Sequence, residues 1–241
     1  AEPFLPINDF PDVPEKLDLQ GLYRRIWQGS FPKLADDPEM DHDLFYGSYI
    51  NTYLERDVRI LGQIGDLQRF FRFLRGTAAR TGQLLNYSDL ARDADVAVGT
   101  AKNYLRILTA SGLVTLLEPY FANRTKRMTQ APKLYFLDTG LCAYLTDWSS
   151  PETLEAGAMA GHIFETWCFA EILKSYRNSG KRPAFYFYRD FDQVEIDLVI
   201  EQDGVLYPVE MKKSSDPGRD AAKHFSKLEK FGKKIGMGAV V

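Results

Sequence analysis

The chain has 241 residues, of which 45% are hydrophobic and 13% aromatic, enough for one large domain or two small ones with proper cores. Its net charge of −3 excludes a uniformly basic nucleic-acid coat, so contact with nucleic acid would need a local basic patch. Apolar runs fall short of the roughly 18 residues of a membrane helix, and no signal peptide is evident, so we expect a cytoplasmic protein without a membrane partner. Cys142 and Cys168 lie in apolar segments and are expected to be buried free thiols.

Residues 1–65 are predicted to form a linker and a helical region. The proline-rich start leads into a short helix over 19–27, and apolar residues at helical spacing predict a second helix over 43–58. The chain opens on AEPF without a methionine and closes on GMGAVV, which resembles an interrupted strand. We therefore expect both ends to belong to something longer.

Residues 66–146 are predicted to form a winged helix-turn-helix. A helix over 66–79 is followed by a short helix capped by Ser88, and a third helix begins near Val98 and ends at Ser111-Gly112. The strand LVTLLEPY, a turn and the returning strand KLYFLD follow. This order of helices and hairpin is typical of a winged helix.

Two groups of residues in this region are candidate contacts to DNA. The third helix is the presumed recognition helix, and the turn between the two strands carries three cations and no acid, with Lys133 close by. In the alternative interpretation, the module packs against protein and its cations are ordinary surface. The candidate residues are Thr100, Lys102, Asn103 and Arg106 on the helix, and Arg124, Lys126 and Arg127 on the wing.

Residues 147–241 are predicted to form an α/β domain with a mixed sheet. After a linker over 147–156, we expect a helix over 161–176, the strands AFYFYR, VEIDLVI and VLYPVEM, a lysine-rich helix over 219–231 and a last strand. The lysines between 223 and 234 either line a nucleic-acid cleft or form a solvated helix face.

Acidic residues recur on one face of the second and third of these strands. Glu195 and Asp197 alternate with apolar residues, and Glu210 and Lys212 are likewise two positions apart. If the strands pair as a hairpin, Asp197, Glu210 and Lys212 converge. Two carboxylates can hold Mg²⁺, which prefers oxygen ligands, and an adjacent lysine can assist the attacking water.

This spacing matches the PD-(D/E)xK pattern of restriction-endonuclease-like nucleases: Asp197, twelve residues, then Glu210-Met211-Lys212. Glu165, on the preceding helix, is the candidate third metal ligand. Two alternatives remain open. An E-x-K strand is also a common solvated charge pair, and many proteins with this fold have kept the scaffold and lost activity.

Four stretches together resemble a domain-of-unknown-function family found at the C-terminal end of bacterial and archaeal AAA-type ATPases. They are YINTYLERDV, LLNYSDLARDADVAVGTAKNYLRILTASGLV, PKLYFLDTGL, and VEIDLVI with YPVEMKKS. The resemblance implies a P-loop ATPase module followed by a winged helix and a restriction-endonuclease-like domain. It also implies matching acidic positions at Glu165, Glu195, Asp197 and Glu210, with Lys212. No G-x-x-x-x-G-K-[ST] motif occurs here, so ATP would bind only in the missing N-terminal module.

The leading hypothesis is therefore the C-terminal part of an AAA-type ATPase that binds DNA and carries a Mg²⁺-dependent nuclease-like site. Asp197 and Glu210 would hold the metal, Lys212 would assist the water and Glu165 would complete the metal's ligands. The alternative is a non-catalytic DNA- or protein-binding regulatory module with a degenerate nuclease fold. A third possible function, a purely structural oligomerisation domain, is supported only by the aromatic-rich helix over 43–58. A homo-oligomer is also a possible assembly of this chain.

Overall fold

The computed structural model describes residues 2–7, 17–37, 39–58, 64–121, 130–214 and 218–241. The chain divides into two compact units. The first, here called the helical unit, comprises residues 17–116 and 134–163. The second, the sheet unit, comprises residues 1–16, 117–133 and 164–241. The predicted class was α+β or α/β with a mixed sheet, and the structure is mixed α+β with helices and a mixed sheet. The division into three consecutive domains stays a prediction.

The helical unit is built from short helices around a small sheet of order β1-β3-β2, two of whose strands run on into the sheet unit. Its helices are α1 (Leu19–Gln28), α2 (Pro32–Asp36), α3 (His42–Thr52), α4 (Leu67–Ala78), α5 (Tyr87–Asp93), α6 (Val98–Ala110), α7 (Thr139–Leu145) and α8 (Pro151–Ala156). The strands are β1 (Gln83–Leu84), β2 (Val114–Leu117) and β3 (Lys133–Phe136). Among the residues described here, no helix is long and apolar enough to cross a membrane.

Two local predictions in the helical unit were wrong. Asn86, not Ser88, caps α5, because its side-chain oxygen accepts hydrogen bonds from the backbone N–H groups of Ser88 and Asp89. The expected linker over 147–156 contains α8, which begins at a proline behind the Ser150 capping box.

The predicted helix over 43–58 changes type part-way along. It is α-helical up to Thr52 and continues as a π-helix over Tyr53–Val58. Both Tyr53 and Val58 are buried, and they are five positions apart, which is the hydrogen-bond step of a π-helix. Leu44, one of the apolar residues whose spacing predicted this helix, is 72% exposed.

The sheet unit contains a mixed sheet of order β4-β5-β6-β7, in which β8 also pairs with β6. The strands β4 to β6 are antiparallel, whereas β7 and β8 each run parallel to β6. The long helix α9 enters this unit from Phe164 onward. The elements are α9 (Ala160–Asn178), β4 (Ala184–Arg189), β5 (Glu195–Gln202), β6 (Val205–Glu210), β7 (Lys234–Ile235) and β8 (Ala239–Val240).

The lysine-rich helix expected over 219–231 is helical in the structure but is interrupted and of a tighter type. The segment forms two 3-10 helices, Arg219–Ala222 and Phe225–Phe231. In the second, Phe225, Leu228 and Phe231 recur every three residues and pack on the core of the sheet unit. A 3-10 helix has three residues per turn, so all three side chains lie in one row, whereas an α-helix of the same sequence would spread them over about 120°.

The segment that follows β2 belongs to the sheet unit. Its backbone pairs with β4, because Tyr120 N donates to Phe187 O at 2.6 Å and Phe187 N donates to Glu118 O at 3.1 Å. The Tyr120 ring is buried against Tyr188 and other core residues of the sheet. The predicted strand LVTLLEPY therefore ends at Leu117, and its last residues join a different sheet.

Candidate functional site

The pairing of β5 with β6 brings two predicted metal ligands face to face. The strands are antiparallel, and Leu198 pairs with Val209. One step further along the same register, Asp197 lies opposite Glu210, and both side chains are buried. Residues directly opposite each other in an antiparallel pair have Cβ atoms about 4.5–5.5 Å apart. The hairpin expected from the sequence thus places these carboxylates together.

The backbone and Lys212 fix the orientation of this pair. Asp197 Oδ2 accepts a hydrogen bond of 2.9 Å from the backbone N–H of Met211. Lys212 Nζ lies 2.5 Å from Glu210 Oε1. Burial alone would lower the pKa of Lys212, but its hydrogen bond to Glu210 and the charge of Asp197 raise that pKa, so the ammonium stays charged.

A second lysine, which the sequence did not indicate, occupies the middle of the acidic positions. The ammonium group of Lys133, at the start of β3, lies 2.8 Å from Glu165 Oε1 on α9 and 3.7 Å from Asp197 Oδ1. It also forms an ion pair with Glu195 on β5. We call Glu165, Glu195, Asp197 and Glu210 the carboxylate cluster. Lys133 therefore forms ion pairs with three of the four carboxylates in this cluster.

The cation of Lys133 is almost fully removed from solvent, with a side chain only 3% exposed. Burial alone would lower its pKa, but the charges of Glu165, Glu195 and Asp197 outweigh burial and raise the pKa above its usual value. The group is therefore an ammonium ion at neutral pH. A buried cation of this kind is stable only when its carboxylate partners remain ionised around it.

Arg189 and Cys168 also interact with the carboxylate cluster. Arg189 Nη1 on β4 lies 2.9 Å from Glu195 Oε2, so Glu195 is shared between two cations. Cys168 on α9 is buried, and burial followed by the charges of Glu165 and Asp197 raises its pKa to about 12. Its thiol is therefore protonated at neutral pH and is not a nucleophile.

Glu210 is the least satisfied member of the cluster. Its Oε2 atom is buried and has no hydrogen-bond partner among the described residues, whereas Oε1 contacts Lys212. Burial, followed by the charge of Asp197, raises the pKa of Glu210, and the Lys212 ammonium opposes the change.

With Lys133 in place, these residues do not fit a divalent metal ion. A Mg²⁺ ion would need carboxylate oxygens that are free to ligate it. Here Asp197 Oδ2 accepts from a backbone N–H, while its Oδ1, Glu165 and Glu195 all surround one ammonium ion. The metal-ligand roles expected for Glu165, Asp197 and Glu210 therefore require Lys133 to move.

The candidate DNA contacts on α6 lie on its outward side. Lys102, Asn103 and Arg106 are exposed and Thr100 is half-buried. The opposite face is apolar and buried, so the amphipathic pattern determines this placement. Lys102 Nζ lies 5.5 Å from the centre of the Tyr87 ring. Neither Lys102 nor Arg106 has an ion-pair partner in the described part of the chain.

The cations predicted on or near the wing fall into two groups. Arg124, Lys126 and Arg127 lie outside the described residues. Lys133, noted in the sequence as a cation close to the wing, is buried among carboxylates. The available signal was its place at the start of β3, all of whose residues are buried. A charged side chain in such a strand needs a buried partner.

Two family matches cover most of the chain. The domain of unknown function DUF8612 matches residues 19–152, and the domain of unknown function DUF4143 matches residues 160–241. DUF4143 is known as a C-terminal domain of AAA ATPases. The resemblance seen in the sequence is confirmed to that extent.

Curated relatives come from two mycobacteria. An uncharacterized protein of Mycobacterium tuberculosis and one of Mycobacterium bovis are each 32% identical to this chain over 195 residues. The match covers 80% of this chain and 43% of each relative, so the chain spans less than half the length of those proteins. No solved structure matches the chain. Because the first family match covers more than half of the residues, the chain belongs to the DUF8612 family.

Proposed function

We propose that this chain is the non-catalytic, DNA-binding regulatory part of an AAA-type ATPase, with a nuclease-like centre in which a lysine stands where a metal would bind. The observation that carries the proposal is the position of Lys133 among Glu165, Glu195 and Asp197. A buried ammonium ion offsets the negative charge of the carboxylates and keeps them close together. A metal ion would otherwise have this electrostatic role.

The order of the helices and strands supports a winged helix-turn-helix followed by a restriction-endonuclease-like domain. The helices α4, α5 and α6 precede β2 and β3, as in a winged helix-turn-helix. The sheet unit contains a long helix, three antiparallel strands, and a strand that runs parallel to β6 after a helical connection, in keeping with a restriction-endonuclease-like domain. Attachment to an ATPase is supported by the DUF4143 match and by the greater length of the relatives.

DNA is the proposed partner because α6 presents exposed polar and cationic residues on one face. Lys102 and Arg106 are exposed and lie four positions apart, so they are neighbours on that face. Cations in this arrangement contact phosphates, and Asn103 between them can reach a base edge. ATP binding and hydrolysis would belong to the N-terminal module of the whole protein.

The test combines metal titration with a cleavage assay. Calorimetry with Mg²⁺ and Mn²⁺ on the 241-residue chain is expected to give no saturable binding, and linear, circular and single-stranded DNA should remain intact. Duplex DNA should bind without any metal. Metal-dependent cleavage that disappears in Asp197→Ala would contradict the proposal.

A Mg²⁺-dependent nuclease is the second candidate, favoured by Glu210. Its buried Oε2 has no hydrogen-bond partner among the described residues, and Lys212 contacts the other oxygen of the same carboxylate, as an E-x-K metal site would require. Metal binding in the intact chain that is lost in Asp197→Ala would favour this candidate. It would also mean that Lys133 leaves the carboxylates when a metal binds.

A further inference from the structure

The turn between β4 and β5 in the sheet unit presents a phenylalanine entirely to solvent. Phe191 is 102% exposed, the largest exposed fraction among the large hydrophobic side chains of the described residues. Aromatic rings dominate the energetics of cores and interfaces because they bury so much apolar surface, and this ring buries none in its own fold. The proposed function does not use this residue.

Hydrogen bonds hold this turn in place. Asp190 N donates to Val194 O at 3.0 Å, and Gln193 N donates to Asp190 O at 3.2 Å. The Asp190 carboxylate accepts from the backbone N–H groups of Asp192 and Val194, each at 3.0 Å. Gln193 has a φ of 63°, the left-handed conformation expected at the end of a three-residue hairpin loop. The ordered backbone presents Phe191 in a fixed position, so a partner would not have to order the loop.

The charge beside Phe191 favours a protein partner over nucleic acid. Asp192 is exposed and has no ion-pair partner in the described part of the chain. Arg189, the nearest cation along the chain, is hydrogen-bonded to Gln193 and Glu195. A DNA strand would bring its phosphates against the Asp192 carboxylate, which is repulsive. The turn therefore suits an apolar pocket that has a cation at its rim.

A pocket of this kind, with a volume of about 350 Å³, lies in the helical unit against α6. Its wall is mostly apolar, and Arg106 is the only residue with a charged side chain among the described residues that line it. A cavity of about 150 Å³ lined by apolar side chains is enough to bind benzene, so a phenyl ring fits. The lining residues are Tyr87, Leu105, Arg106, Thr109, Ala110 and Leu116.

We propose that the β4–β5 turn of one copy docks in the α6 pocket of a second copy, with the Phe191 ring against the apolar wall and the Asp192 carboxylate beside Arg106. Each copy offers one turn and one pocket, so the contact joins two different surfaces. A single aromatic anchor makes a small interface, so we expect weak association that depends on protein concentration. The contact does not depend on DNA binding.

Sedimentation velocity of the 241-residue chain at several concentrations measures this association. Phe191→Ser should weaken it at least tenfold, as the loss of an interface anchor does. The matched control is Leu44→Ser, because Leu44 is 72% exposed and lies outside the pocket, and this variant should weaken association less than twofold. Both positions are exposed, so neither change is expected to unfold the protein.

The pocket is tested from the other side by filling it. Ala110→Trp places an indole ring in the pocket from an exposed position on α6 and should weaken association at least tenfold. Ala79→Trp places the same ring at the exposed end of α4, outside the pocket, and should change association less than twofold. Because Arg106 is also a proposed DNA contact, these variants leave it unchanged.

A mixture of the two impaired chains gives the decisive result. Phe191→Ser keeps an intact pocket and Ala110→Trp keeps an intact turn, so each should be monomeric alone and the mixture should form one-to-one pairs. A mixture that associates no more than its components would overturn the inference. So would a natural chain that stays monomeric up to its highest soluble concentration.

Duplex DNA binding by the same variant distinguishes this inference from the proposed function. Phe191→Ser retains Lys102 and Arg106, so it should bind duplex DNA at least as tightly as the natural chain. Absence of duplex binding in a natural chain that self-associates would contradict only the proposed function. Duplex binding by a natural chain that never self-associates would contradict only the docking of the turn.

Discussion

The ammonium group of Lys133 lies 2.8 Å from Glu165 Oε1, and the lysine side chain is 3% exposed. This pair joins the strand that returns from the predicted wing to the helix that carries the first acid of the cluster. An ion pair so far from solvent is weak evidence of added stability, but removing one partner leaves an uncompensated buried charge.

Replacing Lys133 by methionine should therefore destabilise the protein by about 3–5 kcal/mol, measured by urea denaturation. Lys174→Met is the matched control, because Lys174 forms an exposed pair with Glu171 on α9 and should cost less than about 1 kcal/mol. Lys133→Arg keeps the charge and should lose less than the methionine variant. Equal stability of the methionine variant and the control would contradict the buried ion pair.

Alkaline pH provides a separate check on Lys133. Its pKa in the folded protein is raised above the ordinary 10.5 by the carboxylates, so its contribution is complete below pH 10.5 and falls as pH rises toward the folded pKa. The stability difference between the natural chain and Lys133→Met should therefore be constant near neutrality and shrink above pH 10.5. A constant difference across this range would argue against a buried ammonium ion.

Glu210 should behave in the opposite way. Its raised pKa means that the buried carboxylate is disfavoured when ionised, so it lowers stability at neutral pH and the cost disappears as pH falls through the folded pKa. Glu210→Gln should stabilise the chain at pH 7 by on the order of 1 kcal/mol, with little difference near pH 4. Denaturant melts at both pH values test this. Destabilisation at pH 7 would indicate that the carboxylate has a partner such as a bound cation.

Duplex DNA binding should depend on Lys102 and Arg106. Each alanine substitution should weaken binding and reduce the magnitude of the salt slope by about 1, since each cation that contacts a phosphate releases about one counterion. Fluorescence anisotropy at several salt concentrations measures this slope. Arg75→Ala is the control, because Arg75 is already paired with Asp147, and its salt slope should not change. Unchanged slopes in both α6 variants would favour protein docking by this face.

Gly140 should be sensitive to a single methyl group. A Cβ there would overlap the Tyr46 hydroxyl and the carbonyl of Gln28, which are hydrogen-bonded to each other. Gly140→Ala should therefore destabilise the helical unit by about 1–3 kcal/mol in thermal or urea unfolding. Gly161→Ala, at a helical position with nothing within 4 Å, should be neutral or stabilising by up to about 1 kcal/mol.

The hairpin that carries Asp197 and Glu210 was predictable because its pattern is local. Apolar residues alternate with acids along β5, a tight turn follows, and β6 resumes the alternation, so register and facing follow from a period of two. The amphipathic helix α6 was predictable for a similar reason. In both cases the residues that determine the structure are neighbours along the chain.

Predictions from the local sequence missed the type of helix in two segments where tertiary packing selects that type. The spacing of three between Phe225, Leu228 and Phe231 suits a 3-10 helix, but helix propensity alone favours the α form. Likewise, the change to a π-helix at Tyr53 accompanies the burial of both Tyr53 and Val58, and helix propensity alone does not predict it.

The periodicity of adjacent residues was enough to predict the mixed class of the fold, the paired carboxylates on β5 and β6, and the polar outer face of α6. The contacts that those carboxylates make depend on segments far apart in the chain. Lys133 reaches Glu165 across 32 positions of sequence, and its charge is stable in that place only because three carboxylates converge there. Electrostatic compensation between distant segments leaves no periodic trace in a sequence, so the carboxylate partners of Lys133 became visible only in the folded protein.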